Sequence, residues 1–311
     1  MKLRNLGFAL MAFTTGSTIV LSASAAGAAT TRPHPHHVIT GTKTPPVAPA
    51  APHSPLLSLP NGYKVVTAVY PAAAGVQSSG YVACPGTEQA TGGGAYVDSS
   101  DVVVNINSSY PSSNGQDWLV DVNNASSLPT AFTVYAVCMA HSASYRVISS
   151  GPWTASSNFV SSEAADCPTG TVVTGGGAVS NSSATDVNIN STVPNALGHG
   201  HTAWRVAMGS YDPNDSSFTV FAVCRPKPLG YSMRTGPGLA LEPDAETQAI
   251  VCPALGASVP IGGGGFTAFL TNDTLLALNT SYPSGNEWTI DENNGETLTK
   301  SVYATAICAG T

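Results

Sequence analysis

The chain reads as an all-β protein of three tandem antiparallel modules, β-sandwich or prism-like, each closed by its own disulfide. Three observations carry this reading: a set of landmarks that recurs about every 85 residues, two cysteines in each recurrence, and period-two apolar alternation with no helical period. Cys84-Pro85, Cys167-Pro168 and Cys252-Pro253 open equivalent segments that close on Cys138, Cys224 and Cys308. Between them a glycine triplet starts at Gly92, Gly175 and Gly262, and an Asn-Ser/Thr pair follows at Asn107, Asn190 and Asn279. Then come Pro111, Pro194 and Pro283, and after these Trp118, Trp204 and Trp288.

In chain order, residues 1–28 have the layout of a secretory signal peptide. Lys2 and Arg4 precede an apolar stretch from Gly7 to Leu21, and Ala26-Gly27-Ala28 supplies small residues for cleavage. Residues 29–61 are dense in Pro, Ala, Thr and His and form a linker expected to be disordered, since it has few large apolar side chains to offset the entropy of ordering. The modules are then 62–143, 144–229 and 230–311, each introduced by a matching tyrosine: Tyr63, Tyr145 and Tyr231.

Six cysteines at matching positions in an exported chain predict the bridges Cys84–Cys138, Cys167–Cys224 and Cys252–Cys308, the pairing that respects the repeat. Each is worth about 4 kcal/mol in the chain-entropy model. In the tryptophan strand, Trp118, Val120 and Val122 share one face, as do Trp204, Val206 and Met208. The final strand is apolar on both sides, with Phe132, Val134 and Ala136 opposite Tyr135 and Val137, which predicts a central position. In the strand before the proline, Val104 and Ile106 face inward, and Asn105 and Asn107 outward. Nothing in the sequence chooses between three beads and a body in which the modules pack about a pseudo-threefold axis.

Composition narrows the partners. The chain has 11 Lys plus Arg, a net charge of -7 and only 9% charged residues, so it lacks the basic stripe that nucleic acid requires. No stretch has the length of apolar residues that a membrane span needs. The expected location is secreted and extracellular.

The glycine triplets admit an anion-binding amide nest, but glycines inside a strand pattern more often mark a bulge or a close crossing, here by the repeat tryptophan. The tryptophans, being on the apolar face, are expected in the core rather than as sugar platforms. The candidate ligand-binding residues are Asn107 and Tyr110 in the first module and Asn279 and Tyr282 in the third, since a ring gives contact area and an amide gives both donor and acceptor to a polyhydroxyl ligand. The second module has Val193 in the tyrosine's place. Asn107, Asn190 and Asn279 also begin Asn-x-Ser/Thr triplets, which would be glycan acceptors in a eukaryotic secretory pathway.

His199 and His201 have the one-residue spacing of many metal pairs, but a Gly-His-Gly-His run reads more simply as a solvated turn, and no metal or cofactor is assigned. No catalytic residue is assigned either. Asp121 and Asp291 match one another, whereas the second module has Ala207 there, and no nucleophile-elbow or zinc-protease motif occurs. The expected function is a non-catalytic extracellular binding protein with a carbohydrate or cell-surface polymer as partner. The alternatives are a structural or protective coat protein and a hydrolase with one site in module 2, His199 or His201 acting as base.

Cys-Pro, Gly-Gly-Gly, Asn-Ser-x-x-Pro, Trp and Val-Tyr-Ala-Val-Cys together resemble a repeat of uncharacterised secreted actinobacterial proteins, and the resemblance runs from Tyr63 to Thr311. It implies export and transfers no activity.

Overall fold

The structure, a computed structural model, describes residues 59–198, 201–251, 258–267 and 272–310. The predicted signal peptide, most of the linker, His199 and Cys252 therefore lie outside the described residues. Among those described, the chain forms nineteen strands and no helix.

The first repeat supplies β1 (Lys64–Ala72), β2 (Val76–Ala83), β3 (Gln89–Val97), β4 (Val104–Pro111), β5 (Asp117–Asn124) and β6 (Thr130–Met139). The second supplies β7 (Arg146–Ala155), β8 (Phe159–Asp166), β9 (Val172–Ser180), β10 (Val187–Gly198), β11 (His201–Ser210) and β12 (Ser216–Arg225). In the third, Gly236-Pro237-Gly238 divides the first strand into β13 (Ser232–Thr235) and β14 (Leu239–Leu241), proline having no N–H for the ladder. There follow β15 (Ala245–Val251), β16 (Val259–Thr267), β17 (Leu276–Ser284), β18 (Glu287–Asn294) and β19 (Lys300–Ala309).

These strands make three antiparallel sheets, and every sheet is shared by two repeats. The orders are β1-β6-β3-β17-β18-β15, β2-β5-β4-β9-β12-β7 and β13-β19-β16-β10-β11-β8, with β14 also on β19. The first repeat thus gives β1, β6 and β3 to one sheet and β2, β5 and β4 to the next, and the other repeats do likewise. The edges meet at corners within single repeats: β1 turns into β2, β7 into β8, and β14 into β15. This is a closed three-sided prism, the compact arrangement of the two the sequence leaves open, and all the described residues fall in one compact unit.

Each member of the glycine triplet meets a different neighbour. A Cβ on Gly92 would stand 2.6 Å from the Gly262 Cα, one on Gly175 2.8 Å from the Gly92 Cα, and one on Gly262 3.1 Å from the Gly175 Cα. The three backbones therefore meet in a ring on the prism axis, too close for any side chain. The second glycines, Gly93, Gly176 and Gly263, lie under the indoles of Trp118, Trp204 and Trp288. The third, Gly94, Gly177 and Gly264, touch the backbone carbonyls of Ser281, Ser109 and Thr192 on the adjoining repeat's strand. A bulge precedes every triplet, at Thr91, Thr174 and Ile261, so that the first glycine is aimed inward.

Side chains tie the repeats in both directions around the axis. Asn107 Nδ2 donates to the carbonyls of Val187 and Ser182 in the second repeat, at 2.7 and 3.2 Å. Asn190 Nδ2 donates to Asp273 and Leu276 in the third, and Asn279 Nδ2 to Val104 and Ser99 in the first. In the opposite sense, Tyr63 Oη donates to the carbonyl of Pro260, Tyr145 to Ala90 and Tyr231 to Val173. Burial lifts the pKa of all three phenols above the usual tyrosine value, which keeps them protonated as donors.

The core is as the alternation predicts. All three repeat tryptophans are fully buried, and each indole N–H reaches a hydroxyl: Trp118 to Ser109 at 2.9 Å, Trp204 to Thr192 at 2.8 Å and Trp288 to Ser281 at 3.0 Å. On the order of 200 Å² is removed from water per indole, about 5 kcal/mol gross. Cys84–Cys138 and Cys167–Cys224 are formed, with Cα atoms 5.7 and 5.6 Å apart. Cys308 is also disulfide-bonded. Each of the two described bridges joins the sheets between which its repeat is divided, β2 to β6 and β8 to β12. The described residues contain no helix long and apolar enough to cross a membrane.

Because backbone faces backbone at the axis, Gly92→Ala should cost at least about 3 kcal/mol or prevent folding. Gly209→Ala meets its nearest neighbour at 3.2 Å and should cost far less. Thermal melting of the two variants checks this; similar melting temperatures would refute the axial role.

Candidate functional site

The four residues singled out from sequence divide into two kinds. Asn107 and Asn279 are fully buried, and both donate their amide hydrogens to the neighbouring repeat. Simple alternation puts them on the outer face. The strands instead bulge at these residues, between Ile106 and Ser108 and between Leu278 and Thr280, and the extra residue turns the amide inward. The same bulge brings Tyr110 and Tyr282, which straight alternation from Ile106 and Leu278 would point inward, to the outer face.

Both tyrosines sit on an outer sheet face at the seam where one repeat joins another, and the second aromatic comes from across the seam. Tyr110 on β4 stacks on Phe221 of β12, with centroids 5.5 Å apart and planes at 23°. Tyr282 on β17 packs against Tyr135 of β6 at 5.0 Å and Tyr96 of β3 at 5.7 Å. The third seam has Phe266 on Tyr303, 4.9 Å apart, with Val193 in place of the tyrosine.

An acid accompanies each tyrosine. Asp121 and Asp291 pair with Ser108 and Thr280, two residues from Tyr110 and Tyr282, and so share the tyrosine's face. Ser79 Oγ donates to Asp121 Oδ1 at 2.5 Å, and Gln248 Nε2 to Asp291 Oδ1 at 3.1 Å. Burial, and secondarily the Asp121 charge, raises the pKa of Tyr110. Burial raises that of Tyr96 more strongly, helped by Asp98, Tyr282, Asp291 and Glu246, and Tyr135 is pushed up to about 12 by burial and Tyr282. At neutral pH these rings are thus protonated hydroxyl donors.

The two seams differ in access. Tyr96, Tyr135 and Tyr282 are all buried, whereas Tyr110 is half-buried and Asp121 likewise. Tyr81 and Tyr110 both pair with Leu119, so they stand in one row two strands apart, roughly 10 Å. Tyr81 is 57% exposed. Sequence reading missed Phe221, Tyr135 and Tyr81. The first two carried a signal, an aromatic three residues before the second cysteine in the first and second repeats where the third has Thr305, but which tyrosine each meets depends on how the repeats interlock.

His201 is exposed at the start of β11, and the geometry of the predicted pair lies outside the described residues. Asp212 and Asp215 accept backbone N–H groups of Asn214 and Ser157 at a turn. Among the described residues, no three His, Cys, Asp or Glu side chains stand close enough to hold a metal.

A further acid departs from the repeat. Glu292 occupies the inward position held by Val122 and Met208 in the other repeats; it is fully buried, and neither carboxyl oxygen has a hydrogen-bond partner. Burial holds its pKa well above the ordinary value of 4.5. The folded protein keeps this proton to higher pH than the unfolded chain, so stability falls as pH rises from about 4.5 through the raised value. Glu292→Met should remove that decline and stabilise the protein at pH 7 by about 2 kcal/mol or more, on the scale of an unpaired buried polar group. Denaturant titrations of both proteins from pH 4 to 8 measure it, and parallel pH profiles would contradict the assignment.

No known family model matches the chain, and no curated protein is significantly similar to it in sequence.

Proposed function

We propose that the protein is a non-catalytic extracellular binding protein that takes carbohydrate, free or within a cell-surface polymer, on the outer face of the sheet β2-β5-β4-β9-β12-β7. The observation that carries the reading is the row of Tyr81 and Tyr110, the latter stacked on Phe221 and flanked by Asp121. Sugar rings present apolar C–H faces that pack on aromatic planes, and their hydroxyls pair with carboxylates, serines and phenols. Tyr81, Tyr110, Asp121 and Ser79 supply this combination on a rigid sheet. The buried seam around Tyr282 and Asp291 repeats the chemistry with less access. A signal-like start and disulfides that bridge sheets support export to an oxidising compartment.

A structural coat role is the second reading, favoured by the covalent and hydrogen-bonded ties between sheets. Retention of the protein on insoluble polysaccharides, cell walls and arrayed glycans separates the two. The binding reading expects retention that a soluble sugar competes and that Tyr81→Ala and Asp121→Asn each reduce at least tenfold without lowering the melting temperature. Retention on no surface favours the coat, and retention indifferent to both variants removes this face from the site.

A further inference from the structure

A different feature lies at the end of the prism where β6, β12 and β19 finish. The residues that follow the second cysteine of each repeat are Met139, Arg225 and Ala309, so one repeat alone brings a charge there. A cavity of about 260 Å³ opens beside Arg225, walled mainly by Leu59, Met139, Leu229 and the prolines 60, 226 and 228, with Asn61 and Gly310 completing the lining. Arg225 is only 9% exposed. Its Nη2 donates to the Ala140 carbonyl at 3.3 Å, whereas its Nη1 has no partner. The ion pairs found among the described residues are Lys64–Glu88 and Lys300–Asp273, and no carboxylate there faces Arg225.

A buried guanidinium with a donor unmet is unfavourable unless an anion compensates it. The aromatic beside it, Tyr145, is a neutral phenol already donating to Ala90. The walls decide what kind of anion fits. Proline has no N–H, the leucines and methionine offer none from their side chains, and Asn61 adds one neutral amide, so Arg225 is the only charged side chain lining the cavity to meet an anion. One guanidinium edge matches one carboxylate in a charge-assisted pair, and Leu229 and Leu59 at the rim, 73% and 37% exposed, suit an apolar body.

We propose that this cavity is a binding site for a monocarboxylate with an apolar chain or ring, its carboxylate on Arg225 and its apolar part against Leu59, Met139 and Leu229. The site is separate from the aromatic outer face, so neither depends on the other. Octanoate is a suitable probe, titrated calorimetrically into the full protein, with octanol and inorganic phosphate as comparisons. The expected result is saturable binding of octanoate, at least tenfold tighter than octanol or phosphate. Arg225→Met should weaken octanoate at least tenfold while melting at or above the parent temperature, because it removes an uncompensated charge and installs the side chain the first repeat uses. Should that variant fail to fold, Arg225→Gln carries the same comparison. Absence of saturable octanoate binding, equal affinity for octanol or phosphate, or a folded Arg225 variant of undiminished affinity would each overturn the proposal.

Discussion

Three backbones meet on the prism axis at Gly92, Gly175 and Gly262, and the rest of the structure depends on that approach. With Cα atoms this close, the strands β3, β9 and β16 converge along their inward glycines while their other residues fan into three sheets. The next glycine in each triplet leaves room for the indole, which fills the wedge between adjoining sheets. The third lets the neighbouring repeat's strand come near enough to extend the sheet. One triplet therefore sets axis, core and seam together, and a methyl group at its first position would separate all three.

The landmarks, the disulfide pairs Cys84–Cys138 and Cys167–Cys224, the all-β class and the buried tryptophans were legible in the sequence, because each leaves a local signature that recurs from repeat to repeat. How the repeats interlock was not. Period-two alternation reports which face of a strand is buried, and it carries no information on whether the strand's partner lies in the same repeat or the next. The bulges at Asn107 and Asn279 were hidden for a related reason: one extra residue reverses the face, and alternation counts straight through it. The asparagines that looked suited to a ligand instead hold carbonyls of the following repeat, which explains why all three repeats carry them. Glu292 was legible only as a departure, a carboxylate where the other repeats have Val122 and Met208, and its burial gives that departure a physical consequence.

The interior is nearly threefold and the surface is not. Glycines, tryptophans, asparagines and the opening tyrosines obey the symmetry because each serves a joint that occurs three times. The outer seams vary: Tyr110 with Phe221 and Asp121, Tyr282 with Tyr135 and Asp291, and in the third Val193 and Ala207 at the equivalent positions, with Phe266 stacked on Tyr303. The end of the prism varies too, with Met139, Arg225 and Ala309 at equivalent places. Differences of this kind, on a frame that does not require them, are where recognition is to be sought, and both candidate binding surfaces lie there. The cavity combines residues of more than one repeat, and Tyr110 on the outer face leans on Phe221 of the next, so both depend on how the repeats interlock.

That dependence is tested most directly by differential scanning calorimetry of the protein with its disulfides intact. A prism whose every sheet is shared by two repeats should unfold in a single transition whose van't Hoff and calorimetric enthalpies agree. Two or three resolved transitions, or a van't Hoff enthalpy near one third of the calorimetric value, would show that the repeats unfold independently and would contradict the account.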